Sequence, residues 1–136
     1  MLTVGLLLSG CSYVNRVAAR LNSDGTLDFG TCDARNADSF EVEWIYASSS
    51  SSERPVSTTP IVGNVEKGDV FHLDASAPPD AWQSVYVHSV GESGAGIFGY
   101  FDAADLSNGE WVWNQSGTYF GTEDVEHCDL DEANAR

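Results

Sequence analysis

The sequence predicts an all-β fold: an antiparallel β-sandwich of about eight short strands, with an Ig-like arrangement or a small barrel as the alternatives. Three observations carry this reading. From Arg16 onward, apolar and polar residues alternate with the period of two that turns one side of a strand towards a core. Turn residues interrupt that alternation roughly every ten positions. The 136 residues, 42% hydrophobic and 11% aromatic, suffice for one core and lie far from the composition of a chain that stays unfolded.

Each element follows in order. Arg16 to Leu21 and Thr26 to Thr31 flank Asn22-Ser23-Asp24-Gly25, whose Asp-Gly step supplies the left-handed backbone of a hairpin turn. In the next strand Phe40, Val42, Trp44 and Tyr46 share one face while Glu41 and Glu43 take the other, so it reads as half buried. Residues 47–60, with serine unbroken from Ser48 to Ser52, show no periodicity and are expected to form a flexible surface loop. A short strand is expected over Ile61 to Val65, a turn at Glu66-Lys67-Gly68-Asp69, and a strand over Val70 to Ala75. Pro78-Pro79 breaks the chain before a strand from Trp82 to Val90. Gly91 to Gly96 reads as a turn, Ile97 to Phe101 as a strand and Asp102 to Leu106 as one helical turn. Asn108-Gly109 opens a strand over Glu110 to Asn114. A last strand is expected over Thr118 to Thr122, and Asp124 to Arg136 reads as an acidic tail pinned at Cys128.

Ahead of this domain, which covers residues 16–136, stands a different kind of segment. Met1 to Leu8 is too short an apolar run to span a bilayer but fits the core of an export signal. Leu8-Ser9-Gly10-Cys11 then presents an aliphatic residue, two small ones and a cysteine, and so resembles the lipobox of bacterial lipoproteins. The small side chains let an extended backbone enter a peptidase, and the Cys11 thiol is the nucleophile that takes the diacylglyceryl group. The resemblance implies that residues 1–10 are removed, that Cys11 becomes the first mature residue, and that residues 11–15 form a short tether. One departure is that no Lys or Arg precedes the apolar run. Two acyl chains exceed what stable anchoring requires, at about 0.8 kcal/mol per buried CH₂. Arg16 and Arg20 are then expected nearest the headgroups.

Charge narrows the partners. The net charge is −15, and residues 24–136 hold all 21 carboxylates against four basic side chains. Such a surface repels nucleic acid, so no nucleic-acid partner is expected. With Cys11 lipidated, Cys32 and Cys128 remain as an even pair and are expected to join as a disulfide in an oxidising compartment. The loop they close is nearly the whole domain, worth about 4 to 5 kcal/mol in loop-entropy models. Metal ligation beside His127 and Asp33 is the competing reading, but no second Cys or His stands at zinc spacing.

The segments NSDGTLDFGTCD, KGDVFHL, GYFDAADLSNGEWVWNQSG and EHC, taken together, resemble small lipoproteins of high-GC Gram-positive, actinobacterial type. This resemblance extends over the mature chain and implies an exported, lipid-tethered sheet protein. It brings no catalytic residues with it.

Few constellations suggest chemistry. Gly91-Glu92-Ser93-Gly94-Ala95 approaches the nucleophile elbow, but alanine holds the fifth position and a strand-like run follows, so a hairpin turn is the simpler reading. His72 and Asp74 fall on one strand face, and His88 on another strand; any of these could complete a base-orienter pair with Ser93. The carboxylates at Asp102 and Asp105, and those from Glu123 to Glu132, match no calcium-loop spacing. No cofactor or metal is expected. Trp111 and Trp113 share a strand face and, with Trp82, Tyr100 and Tyr119, offer a speculative aromatic platform for a wall glycan; burial in the core is the reading sandwich architecture favours. The expectation is therefore a non-enzymatic, membrane-anchored binding module on the outer face of the cell membrane. The sequence does not identify its ligand; a protein, cell-wall or solute partner is the expectation. The alternatives are a structural envelope protein with no discrete ligand and, third, a hydrolase using Ser93 with a histidine.

Overall fold

A computed structural model of the chain describes residues 16–46, 56–79, 81–91, 96–114 and 128–136. Among them, eight strands form two four-stranded antiparallel sheets. The first sheet contains β1 (Val17–Leu21), β2 (Thr26–Thr31), β5 (Val70–Ser76) and the two-residue β8 (Val112–Trp113), in the order β5-β2-β1-β8. The second contains β3 (Ser39–Ile45), β4 (Val56–Pro60), β6 (Ser84–Val90) and β7 (Phe98–Asp102), in the order β4-β3-β6-β7. One helical turn, α1 (Ala103–Leu106), follows β7, and a 3₁₀ turn spans Glu132–Asn134. This is the sandwich that period-two alternation predicts, and neither sheet closes into a barrel.

Local chemistry explains the pairing. Between β1 and β2, Gly25 takes a φ of +87°, and the Asn22 amide donates to the Thr26 carbonyl at 2.8 Å. The Asp24 carboxylate accepts from both the Thr26 amide, at 3.0 Å, and its hydroxyl, at 2.6 Å, which locks the hairpin in register. In β3, Phe40, Val42 and Trp44 are buried while the residues between them are half-buried, as expected. On β6, buried Ser89 uses its hydroxyl to accept the Ile97 amide at 2.8 Å, closing the ladder towards β7. A Cβ at Gly99 would fall 2.7 Å from a Val17 methyl, so glycine on β7 is what lets the second sheet approach β1.

Between the sheets the aromatic rings meet edge to face. Phe29 lies 5.1 Å from Phe40, and Phe40 lies 4.9 Å from Phe71, each a pairing across the layers. Val17, Leu27, Val42, Leu73, Val85, Val87 and Leu106 fill the remaining space. Trp44 is fully buried, with Trp82 packed against it at 4.7 Å.

Three expectations about the chain's course need correction. Val56–Pro60, placed in the serine-rich loop of residues 47–60, is a strand on the edge of the second sheet; residues 47–55 lie outside the described residues. Its backbone pairs only with β3, and Val56, Thr58 and Pro60 point to solvent, so no apolar periodicity announces it. Ile61 to Val65 is not a strand but a loop, joined by one isolated bridge, Arg35 to Val65, to the connection between β2 and β3. The end of the acidic tail is not solvated filler: Cys128 to Arg136 is docked against the first sheet. The expected strand at Thr118 to Thr122 lies outside the described residues.

Candidate functional site

The two sheets present very different outer faces, and the candidate site emerges from the contrast. On the first sheet the outward residues lie in two rows. Ala18 pairs with Gly30 and Trp113, and Gly30 in turn with Val70. Ala18, Gly30 and Val70 leave a shallow trough, and the carboxy-terminal segment fills it. Leu130 sits where a Gly30 side chain would begin, its methyl carbons 2.8 Å from that position. As a result Ala18, although it points outward, is 0% exposed.

The neighbouring row is polar. Asp28 pairs with Arg20 on one side and His72 on the other. The Arg20 guanidinium donates to Asp28 at 2.9 Å and to Glu132 at 2.6 Å, and lies 4.6 Å over the Trp111 ring. His72 Nδ1 is 2.7 Å from Asp28, and because a carboxylate only accepts, Nδ1 carries the proton of that bond. The Asp28 hydrogen bond raises the Arg20 pKa, and the Arg20 hydrogen bond lowers that of Glu132. This row ties three strands to the 3₁₀ turn.

Both ends of the docked segment are also secured. Cys32 and Cys128 form a disulfide with Cα atoms 5.7 Å apart, so the metal alternative for this pair is discarded. Beyond it, the Asp131 amide donates to Gly68 at 2.8 Å, the Arg136 amide to Val70 at 2.8 Å, and the His72 amide to Arg136 at 2.6 Å. The Arg136 guanidinium reaches the Val62 and Asn64 carbonyls and the Asp69 carboxylate. Residues 128–136 thus form a strap across the first sheet's outer face and along the edge of β5.

On the second sheet, none of the described segments forms such a strap. Its outward rows run Thr58–Glu41–His88–Phe98 and Val56–Glu43–Tyr86–Tyr100 across four strands. Tyr86 stacks against Tyr100 with centroids 4.3 Å apart and against His88 at 4.8 Å. Phe98 extends the group, 6.5 Å from Tyr86. Tyr100 is 50% exposed and Phe98 36%, both large side chains left in water. Burial among these rings, with Tyr100 and Glu43 adding to it, pushes the Tyr86 phenol above its ordinary value of 10.0. His88 Nε2 lies 3.5 Å from a Glu41 carboxylate oxygen. The result is an aromatic strip beside a line of carboxylates.

The residues singled out from the sequence are distributed differently. Trp111 and Trp113 flank Val112, which is turned to the core, so they face outward on the first sheet, half-buried, and not into the interior. The Arg20 guanidinium occupies a face of the Trp111 ring, which makes Trp111 part of the strap's mooring and not of an open platform. Trp82 packs on Trp44, and of the platform residues that are described Tyr100 alone lies on the second sheet's aromatic strip. His72 bonds to Asp28, its cross-strand neighbour, and not to Asp74, because directly opposed side chains stand nearer than those two apart on one strand. His72 and His88 lie on opposite outer faces of the sandwich. Cys11, Ser93, Tyr119 and His127 lie outside the described residues. Among the described residues, no three His, Cys, Asp or Glu side chains gather as a metal site. Tyr86 and Phe98 carry no sequence signal as site residues, and His88 is singled out only beside Ser93, because alternation with Val85 and Val87 marks β6 as a strand without saying which outer face is strapped.

Comparison with protein-family models, curated proteins and solved structures found no match.

Proposed function

We propose that the chain is an extracytoplasmic lipoprotein, held at the outer face of the cell membrane through Cys11, whose sandwich is a non-enzymatic binding module. The observation that carries the binding role is the strip of Tyr86, His88, Phe98 and Tyr100, in which Tyr100 is 50% exposed. Exposed rings of this size, gathered on one face, keep apolar surface in water that a partner would remove. The strap on the opposite face leaves the second sheet as the broad face open to a partner among the described residues.

Two features support the compartment. The Leu8-Ser9-Gly10-Cys11 sequence has the residue types that lipid attachment requires. The Cys32–Cys128 disulfide is of a kind that persists outside reducing cytoplasm. Metabolic labelling with a fatty-acid probe tests the anchor: label is expected on the wild type and absent from Cys11→Ala. Equal labelling of the two proteins, or none on either, overturns the lipoprotein reading.

A further inference from the structure

We propose that the turn at Asn108-Gly109 is a site of spontaneous chemical modification, where the folded protein converts Asn108 to isoaspartate and so loosens the pairing of β8 with β1.

The chemistry needs an asparagine whose side-chain amide is open to attack by the next backbone nitrogen. The Gly109 nitrogen adds to the Asn108 side-chain carbonyl carbon, its proton passes to the departing amide nitrogen, and ammonia leaves a cyclic succinimide. Water then adds to one of the two ring carbonyls and breaks that carbon's bond to nitrogen, giving aspartate or isoaspartate. The reaction needs no other reactant. Any side chain on the following residue crowds the attacking nitrogen, and glycine has none. Of the seven asparagines in the chain, Asn108 alone precedes glycine.

The fold leaves this turn accessible. Ser107, Asn108, Gly109 and Glu110 are all exposed, directly after the end of α1. Among the described residues, a Cβ on Gly109 would approach only the Leu21 carbonyl oxygen, at 3.8 Å, so no side chain walls off the ring that must form. Nor does the Asn108 side chain have a hydrogen-bond partner among them. The Gly109 amide donates to the Leu106 carbonyl at 3.3 Å, longer than the usual range and at a helix end, where such bonds fray.

Comparable residues are tied down. Asn22 donates through its side chain to the Thr26 hydroxyl at 3.1 Å, and Asn134 to the Asp131 carboxylate at 2.9 Å. At the one Asp-Gly step, the Asp24 carboxylate accepts from the Thr26 hydroxyl and amide, and these bonds hold it below its ordinary value. An ionised carboxylate resists nucleophilic attack, so that hairpin keeps its chemistry while the second turn does not.

Position gives the conversion a consequence. In isoaspartate the main chain runs through the former side chain and is longer by one methylene. The insertion falls between buried Leu106 and Val112, which packs on the core and pairs with Ala19. β8 is only two residues long, and the Asn114 amide beyond it donates to the Val17 carbonyl at 2.8 Å. So short a strand has little pairing with which to resist a displaced entry, and it opens first.

The test incubates the full-length protein in mildly alkaline buffer, folded and in urea, and follows each asparagine by peptide mass spectrometry against synthetic aspartyl and isoaspartyl standards. Isoaspartate is expected to accumulate at Asn108 in the folded protein while Asn22, Asn64 and Asn134 remain amides. Asn108→Gln keeps an exposed amide but would need a larger ring, and should lose the conversion. The proposal is overturned if Asn108 stays intact. It is equally overturned if conversion is more than about tenfold slower folded than in urea, about 1.4 kcal/mol of added barrier, since the fold then shields the turn. Hydrogen exchange at the Asn114 amide reads the consequence. Protection should fall in the isoaspartyl fraction and stay near wild type in Asn108→Asp, which adds the charge without the methylene. Equal loss in both would assign the effect to charge, and unchanged protection in both would remove it; either result overturns the loosening of β8.

Discussion

The two outer faces of the sandwich are built on the same strand geometry and differ in their cover: residues 128–136 strap the first, and none of the other described segments straps the second. Side-chain size decides which. On the first sheet Ala18 and Gly30 leave backbone and small apolar surface that water would otherwise wet, and Leu130 covers it. On the second sheet every outward position of β6 and β7 near the centre is filled by a ring that leans on its neighbour. A face made of small residues calls for a cover from its own chain, whereas a face made of large rings is partly self-covered.

The strongest way to break this comparison is to release the strap. Replacing both Cys32 and Cys128 by serine removes a link between residues 96 apart in sequence, and should destabilise the fold by about 2 to 5 kcal/mol. Urea unfolding measures the loss. Hydrogen exchange should show the first sheet's outward row losing protection before the β3–β6 pairing does. If both sheets lose protection together, the strap is not a separate cover but part of one cooperative core.

A smaller perturbation acts on the trough itself. Gly30→Leu places a side chain where Leu130 now sits, and Leu130 is the far end of a flexible side chain, so the strap yields before the sheet does. The expected cost is about 1 to 2 kcal/mol, the burial of one leucine forfeited, with faster proteolysis within residues 128–136. Tyr100→Ala on the second sheet's outer face should stay within about 0.5 kcal/mol of wild type, since half of that side chain is already in water. A reversal of that order would show that the aromatic strip is structural.

Much of the architecture is legible in the sequence because each strand with one face in the core must alternate. Thr26–Thr31 coincides with its expected bounds, and the Asp24-Gly25 turn could be placed from its residue types alone. The edge strand Val56–Pro60 was not legible, since pairing on one side by backbone alone leaves no side-chain signature. The disulfide followed from counting cysteines, but the course of the strap after Cys128 did not. Its acidic residues look like solvated filler until Gly30, Arg20 and Gly68 are seen to lie beneath Leu130, Glu132 and Asp131. The open face was illegible for a related reason: alternation tells in from out, and only the packing of the whole chain tells which outside is covered.

Acidification gives the gentlest test. In the folded protein the Arg20 guanidinium holds the Glu132 carboxyl below its ordinary value of about 4.5. A group so depressed contributes stability that is present above the unfolded value and is lost as pH falls through the folded one, because the detached state then binds the extra proton. Glu132 is largely solvated, so screening keeps the effect small and confines it to the strap. Between pH of about 6 and about 3.5, corrected for intrinsic rates, exchange protection should drop at the Asp131 and Arg136 amides, which donate to Gly68 and Val70. Amides between β3 and β6 should hold, because continuous backbone pairing from Ser39 to Ile45 and buried Val42, Trp44, Val85 and Val87 secure those strands whatever the state of the surface pair Glu41–His88. In Glu132→Gln the strap's protection should be lower at the higher pH and should change less on acidification. Strap protection that tracks pH identically in wild type and Glu132→Gln would move the latch elsewhere, and would leave Leu130 and the disulfide as the features that separate one face of this sandwich from the other.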